Sequence, residues 1–278
     1  MKIETLSNPQ IERFSRQILL KEVGSKGMKT LLNSKVTIVG AGGLGCPISQ
    51  MLASLGVGNI KLIDKDCVEL SNLPRQPLHF TEDVGRLKVE SLGNKMKAIN
   101  PEISLELIPE YLTQTNAERL LSGSDFVLDA SDNIATKFLI NDVCVHLNIP
   151  FSIAGVVQWY GQLITVIPGK TTCYRCIFSN IFEPEQGMTC SGAGAMATVP
   201  SLAGILQANE AVKVLLGLKP RFTNGLFNFD LLGNSFDHIR IHRDPNCKTC
   251  SHPEAPFYLT EKYEITPNGS QDSCEIQK

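Results

Sequence analysis

The sequence predicts an α/β fold built on a doubly wound, mostly parallel sheet, and three features of the chain point to it. A glycine-rich hexapeptide, Gly40-Ala-Gly-Gly-Leu-Gly45, stands between a short apolar run and an apolar helical segment. Short apolar runs then alternate with helical patterns as far as residue 154, the signature of parallel βαβ units. Beyond that point two strands meet across the short turn Gly233-Asn234, so antiparallel strands are expected to extend the parallel sheet. Together these make the expected fold Rossmann-like.

Each element has its own reason. Residues 9–23 carry Ile11, Phe14, Ile18 and Leu19 near helical spacing, which predicts one amphipathic helix. Residues 35–39 form a buried strand, and residues 47–55 a helix that opens on Pro47, where a missing N–H costs nothing. Gly56 and Gly58 close it, and residues 60–63 begin the next strand. A weaker strand at 105–108, a short helix at 116–121, a buried strand at 125–128, a helix at 134–147 and a strand at 151–154 continue the alternation. The second half holds a strand at 161–167, a long helix at 201–216, and a strand pair, 226–232 and 236–241, around Gly233-Asn234. The expected organisation is one domain over residues 1–251, with its nucleotide-binding half at about 35–155. From His252 the polar, Pro-containing sequence predicts a flexible tail, 252–278.

Composition narrows the functional classes. The 278 residues are 42% hydrophobic and 19% charged, and 26 Lys and Arg against 28 Asp and Glu leave a net charge of −2. No global basic field favours nucleic acid or an anionic membrane. The N-terminus has no apolar signal region. Two charge-free stretches, residues 36–60 and 186–209, are long enough to span a bilayer but are broken by Gly and Pro. No membrane association and a cytoplasmic location are therefore expected. Nine cysteines, an odd number in a chain of ordinary size, argue against a disulfide scaffold and for metal ligation or reactive thiols.

The hexapeptide fits G-x-G-x-x-G, and its place between strand and helix gives it weight. Glycines permit a tight turn and a close approach of backbone to phosphate, while the helix N-terminus offers N–H donors. Asp64, 19 residues beyond Gly45 at the end of the second strand, is placed to accept ribose hydroxyls. The same fingerprint serves NAD-dependent oxidoreductases, so the nucleotide must be read from other groups. Arg75, Arg86 and Lys88 follow in LSNLPRQ and GRLKVES. Fixed cations suit a reaction at phosphorus, which spreads negative charge over phosphate oxygens; singly, each is also an ordinary surface charge. Asp129 and Asp132, in LDASDN at the carboxyl end of a strand, can hold Mg²⁺, and Asp132 or Ser131 can equally cap the next helix.

Cys173, Cys176, Cys247 and Cys250 form two C-x-x-C pairs. Four thiolates suit a structural zinc knuckle if the fold unites them; two redox pairs are the alternative. Cys190 stands in a small-residue loop suited to a nucleophile or to an inert thiol. Cys46, Cys67, Cys144 and Cys274 look like core or tail residues, and the five histidines form no ligand pattern.

The motifs RFSRQILL, GAGGLG, IDKD, LSNLPRQ, GRLKVES, LDASDN, CYRC, TCSGAG and CKTC, in this order, are similar to those of the ThiF/MoeB/HesA family, bacterial relatives of the adenylation domain of ubiquitin-activating enzymes. The resemblance covers about residues 9–251. It implies an ATP-dependent adenylyltransferase that binds Mg-ATP and the Gly-Gly tail of a ubiquitin-like sulfur carrier protein, forms an acyl adenylate and serves thiamin or molybdopterin synthesis. Peptide-modifying and tRNA-modifying relatives share the core. It also implies that Gly40, Gly42 and Gly43 lie near the nucleotide and that Asp64 holds the ribose. Asn72, Arg75 and Lys88 would then contact the phosphates, Ser71 and Asn133 would also belong to the cofactor-binding set, and Asp132 would bind Mg²⁺. Arg16 would reach the ATP of a neighbouring subunit in a homodimer. Cys190 aligns with a cysteine that is catalytic only in sulfur-transferring members. Pro74 departs from the family's usual LSNLQRQ, and with no room for a rhodanese domain a separate sulfur donor protein is expected.

Overall fold

Eight strands make one mixed sheet in the order β3-β2-β1-β4-β5-β6-β7-β8. The structure is a computed structural model and describes residues 3–178, 193–260 and 263. The first five strands are β1 (Lys35–Val39), β2 (Asn59–Ile63), β3 (Ser104–Ile108), β4 (Phe126–Asp129) and β5 (Phe151–Val157), and they pair in parallel. The last three, β6 (Tyr160–Val166), β7 (Gly225–Asp230) and β8 (Ser235–Arg240), add antiparallel neighbours. The α/β sheet extended by antiparallel strands is therefore as expected.

Alternation along each strand feeds two cores. Val36 and Ile38 of β1, Leu62 of β2 and Leu128 of β4 face one apolar cluster. It is covered by helices α4 (Gly45–Leu55), α5 (Lys88–Ile99) and α8 (Thr198–Leu215). Val39, Ile63 and Val127 face the other, covered by α6 (Ala117–Leu121) and α7 (Ile134–His146). A residue step of one flips the face, so both layers are specified by the same short runs. Helix α4 stops at Gly56, whose φ of 83° is the left-handed conformation that a C-terminal glycine supplies at least cost.

Three expectations need correction. The helix expected over residues 9–23 is two short helices, α1 (Asn8–Arg13) and α2 (Ser15–Ile18). The break is at Phe14, whose side chain is buried with Met28, Leu31 and Leu32. Helices α3 (Gly24–Asn33) and α5 were not expected at all; α3 supplies those three partners. The tail expected from His252 is anchored over its first part. Tyr258 is 2% exposed and its hydroxyl donates to Glu118 Oε2 at 2.6 Å, so its apolar ring, invisible in a polar context, holds residues 252–260 against α7 and α6.

Candidate active site

The sheet reverses its winding between β1 and β4, and ligands of open α/β sheets bind where such a reversal leaves a crevice at the carboxyl ends of strands. The register makes that crevice specific. Val39 pairs with Ile63 on one side and with Asp129 on the other, so the loops that begin at Gly40, Asp64 and Ala130 start side by side. A cavity of about 1700 Å³ opens there.

Ten of the residues expected at a nucleotide site line this one cavity. Gly40, Gly42 and Gly43 come from the β1–α4 loop, and Asp64 from the end of β2. Ser71, Asn72 and Arg75 belong to the segment after β2, and Lys88 opens α5; Asp132 and Asn133 belong to the β4–α7 turn. Gly40 has φ of 104°, and a Cβ there would meet the Ala130 carbonyl oxygen at 2.5 Å, so no other residue fits. At Gly42 an added Cβ would meet only the Gln76 amide, at 3.4 Å. Its missing side chain is not demanded by the protein itself and leaves room for a ligand.

Carboxylates and cations are interleaved along the wall. Asp64 accepts from Ala41 N and from Asp66 N, both at 2.7 Å, which fixes its carboxylate under the loop. The Lys88 ammonium lies 2.9 Å from Asp66 Oδ2, and Tyr111 OH donates to Asp66 Oδ1 at 2.9 Å. Burial opposes the charge on Lys88, but Asp64, Asp66 and Asp132 outweigh it and raise its pKa. The ammonium is thus fully charged at neutral pH. Arg75 is half-buried, and its guanidinium donates to the Ser71 carbonyl at 2.9 Å.

The structure divides the two aspartates of the β4–α7 turn between different jobs. Asp129 is wholly buried, and the Lys137 ammonium donates to it at 2.6 Å, to the Ser131 carbonyl at 2.6 Å and to the Ala154 carbonyl at 2.7 Å. All three ammonium protons are then used, and the turn is tied to β5. Asp132 is exposed and faces the cavity. The helix cap is neither Asp132 nor Ser131 but Asn133, whose side chain accepts from Thr136 N at 3.1 Å; the Ser131 hydroxyl is committed to Asp129.

The two C-x-x-C pairs meet. The Sγ atoms of Cys173, Cys176, Cys247 and Cys250 all lie within 4.8 Å of one another, with contacts of 3.9, 3.6 and 3.5 Å. A tetrahedron with Zn–S of about 2.3 Å has S···S edges of roughly 3.8 Å, so the donor set fits such an ion. The knuckle is bolted to α7. Asn141 accepts from Tyr174 N at 2.8 Å, and Asp142 accepts from the Arg175 guanidinium at 2.7–2.9 Å and from the Thr249 hydroxyl at 2.9 Å.

Other expected residues fall elsewhere. Arg16 is exposed on α2 and does not line the cavity of its own chain. Cys190 lies in residues 179–192, outside the described residues. Cys67, expected to be a core or tail residue, is half-buried on the cavity wall and disulfide-bonded. Cys46 is buried, and burial pushes its thiol up to about 12. Sequence reasoning missed Lys137, Tyr111 and His79, none of which belongs to a recognisable pattern; Gln76 closes the LSNLPRQ motif but carries no role there.

The geometry is that of a doubly wound α/β domain whose crevice gathers a glycine loop, carboxylates and two fixed cations, Arg75 and Lys88. The ThiF family model matches residues 14–249, and the chain belongs to that family. It is 38% identical over 246 residues to the SAMP-activating enzyme E1 of Haloferax volcanii, a match covering 88% of this chain and 91% of that protein. The sulfur carrier protein adenylyltransferase of Thermus thermophilus is also 38% identical over 246 residues, covering 87% and 91%. The adenylyltransferase and sulfurtransferase MOCS3 of Mus musculus is 35% identical over 274 residues; the match takes in 98% of this chain but 60% of MOCS3. Among solved structures, E. coli MccB with ATP superposes with a TM-score of 0.75 at 27% identity, covering 86% of this chain and 74% of that one. The chain is an ATP-dependent adenylyltransferase of this family. Among the described residues no helix is long and apolar enough to cross a membrane.

Proposed function

We propose that this protein adenylates the C-terminal Gly-Gly carboxylate of a ubiquitin-like sulfur carrier protein and releases pyrophosphate. The observation that carries the reading is the shape and polarity of one cavity. At the β1–β4 end it gathers the glycine loop, Asp64, Arg75, Lys88 and Asp132; it then runs over the antiparallel strands past Gly155, Tyr160, Asn228 and Asp237. From β4 to β8 is four strand spacings, about 19 Å, which an extended peptide of five or six residues spans. A flexible tail can therefore lie across the sheet and bring its carboxylate to the phosphates.

In this reading Asp64 holds the ribose, and the loop, Ser71, Asn72 and Asn133 position the triphosphate. A carboxylate oxygen of the tail attacks the α-phosphorus. The new P–O bond forms as the bond to the β-phosphate oxygen breaks, and pyrophosphate leaves with the electron pair. Arg75 and Lys88 face the charge that grows on the phosphate oxygens. Asp132 would hold Mg²⁺, which when bound neutralises phosphate charge. The four cysteines would hold a structural Zn²⁺. Arg16, outside its own cavity, is assigned to the nucleotide of the neighbouring subunit in a homodimer. A separate sulfur donor protein would convert the adenylate to a thiocarboxylate for thiamin or molybdopterin synthesis, with Cys190 the candidate for any covalent step.

Carrier-dependent ATP–pyrophosphate exchange tests the reading. Replacing Arg75 by Ala should lower exchange by roughly 10²–10³, the loss typical of one transition-state charge contact. Exchange near the wild-type rate in that variant would sink the assignment.

A further inference from the structure

We propose that His79 is a positioning residue for ATP: from behind the glycine loop, it fixes the peptide that presents the Gly42 N–H to phosphate. The proposal rests on the reading of this cavity as the nucleotide site, and it adds a residue to that site that makes no contact with the ligand itself.

His79 is 3% exposed. Its Nε2 lies 2.8 Å from the Ala41 carbonyl oxygen, and its Nδ1 lies 2.8 Å from Ser91 Oγ. A carbonyl oxygen only accepts, so Nε2 carries the proton and donates. The neutral ring then accepts at Nδ1 from the Ser91 hydroxyl. Ser91 Oγ accepts in turn from Lys95 Nζ at 3.0 Å, and Lys95 is paired with Asp83. Asp83 is itself fixed by the Phe80 N–H at 2.7 Å. Asp83, Lys95, Ser91 and His79 thus form one connected series of polar contacts, and the series ends on the loop.

What this does to the loop follows from peptide geometry. The Ala41 N–H is already held by Asp64 at 2.7 Å, and His79 holds the Ala41 carbonyl. That carbonyl and the Gly42 N–H belong to one planar trans peptide, so they point in opposite directions. Fixing the oxygen towards His79 therefore turns the Gly42 N–H away from it. Gly42 lines the cavity, and among the described residues its N–H has no hydrogen-bond acceptor. A loop of glycines has little stiffness of its own. Pinned on both sides of Ala41, it no longer needs to be ordered by the ligand, and preorganised donors bind more tightly than mobile ones.

The ring is also kept in the required state. Burial lowers the proton affinity of His79, and Lys88 and Lys95 add to it, against the Ala41 carbonyl and Asp83. A second proton would turn Nδ1 into a donor and dismiss the Ser91 hydroxyl proton from its acceptor.

The test compares His79→Asn and His79→Gln with wild type, reading ATP affinity by equilibrium binding, ATP KM and kcat in exchange, and melting temperature. The amide nitrogen of Gln can stand where Nε2 stands and donate to Ala41; that of Asn is too short. His79→Asn should raise the Kd and KM for ATP about tenfold, the scale of one lost hydrogen bond, with kcat at saturating ATP changed much less. His79→Gln should return ATP affinity to within about threefold of wild type. Unchanged ATP affinity in His79→Asn, or Gln no better than Asn, overturns the proposal; so does a kcat loss without a KM change. Lys88→Met, assayed alongside, separates the two levels. If it leaves exchange intact, the reading of the cavity has failed; if it abolishes exchange while both His79 variants bind ATP normally, only the role of His79 has failed.

Discussion

Lys88 separates stability from activity, and Lys88→Met shows by how much. Its ammonium is held 2.9 Å from Asp66, with side chains 9% and 37% exposed, and Asp64 and Asp132 add to the negative field around it. Methionine keeps the aliphatic stem, so packing at the start of α5 is preserved. Asp66 can relax into the water it already reaches, and the lost pair is worth about 1 kcal/mol or less. For a chain of this size that lowers Tm by roughly 2–4 °C. Catalysis loses more. Three carboxylates remain at the wall, and no ammonium stands between them and a triphosphate. The expected loss of exchange is roughly 10²–10³, or about 2.7–4 kcal/mol of transition-state stabilisation. Carrier-dependent ATP–pyrophosphate exchange and a thermal melt on the same sample measure the two effects. Exchange within tenfold of wild type, or a collapse of Tm that accounts for the lost activity, refutes the reasoning.

Arg175→Met strips the partner from Asp142, whose side chain is fully buried. Leaving a buried carboxylate unpaired costs about 3–5 kcal/mol, read by urea unfolding, and a loss below about 1 kcal/mol would contradict it. The four-cysteine cluster predicts close to one zinc per chain by elemental analysis, with a lower Tm after chelation; a metal-free protein of equal stability would exclude that role. Acid should also weaken the fold through His79, whose folded pKa lies below the ordinary value of 6.5. At high pH both states are neutral there and the group contributes nothing. As pH falls below about 6.5, the unfolded chain takes a proton that the folded chain refuses, so stability drops by up to about 1.4 kcal/mol per pH unit. His79→Gln should remove that slope between pH 7.5 and 5.5, and parallel curves for the two proteins would contradict it.

What could be read from the sequence was whatever is contiguous. The hexapeptide Gly40–Gly45 carries its strand, turn and helix within a few residues of itself, and each C-x-x-C pair announces its chemistry locally. The meeting of Cys173 and Cys176 with Cys247 and Cys250 needed the sheet to fold, yet the residue types were enough to expect it. His79 and Lys137 were illegible for the opposite reason. His79 acts on Ala41 and Lys137 on Ala154, partners set by packing rather than by spacing, and a lone His or Lys has no signature. Helix α5 is faint in the sequence because its apolar positions Val89, Leu92 and Met96 are interrupted by Gly93 and sit among lysines and a glutamate. The anchoring of Tyr258 was hidden because one aromatic ring in a polar segment gives no period at all.

The central claim is that this cavity transfers AMP to the carboxylate of a carrier. It is tested most directly by incubating the protein with ATP, Mg²⁺ and each of several Gly-Gly-tailed sulfur carriers and measuring the intact mass of the carrier. One carrier should gain a single AMP with release of pyrophosphate, and should lose it on addition of a thiol or of pyrophosphate. No mass gain on any carrier, while the protein binds ATP tightly and turns it over with another acceptor, would contradict the account.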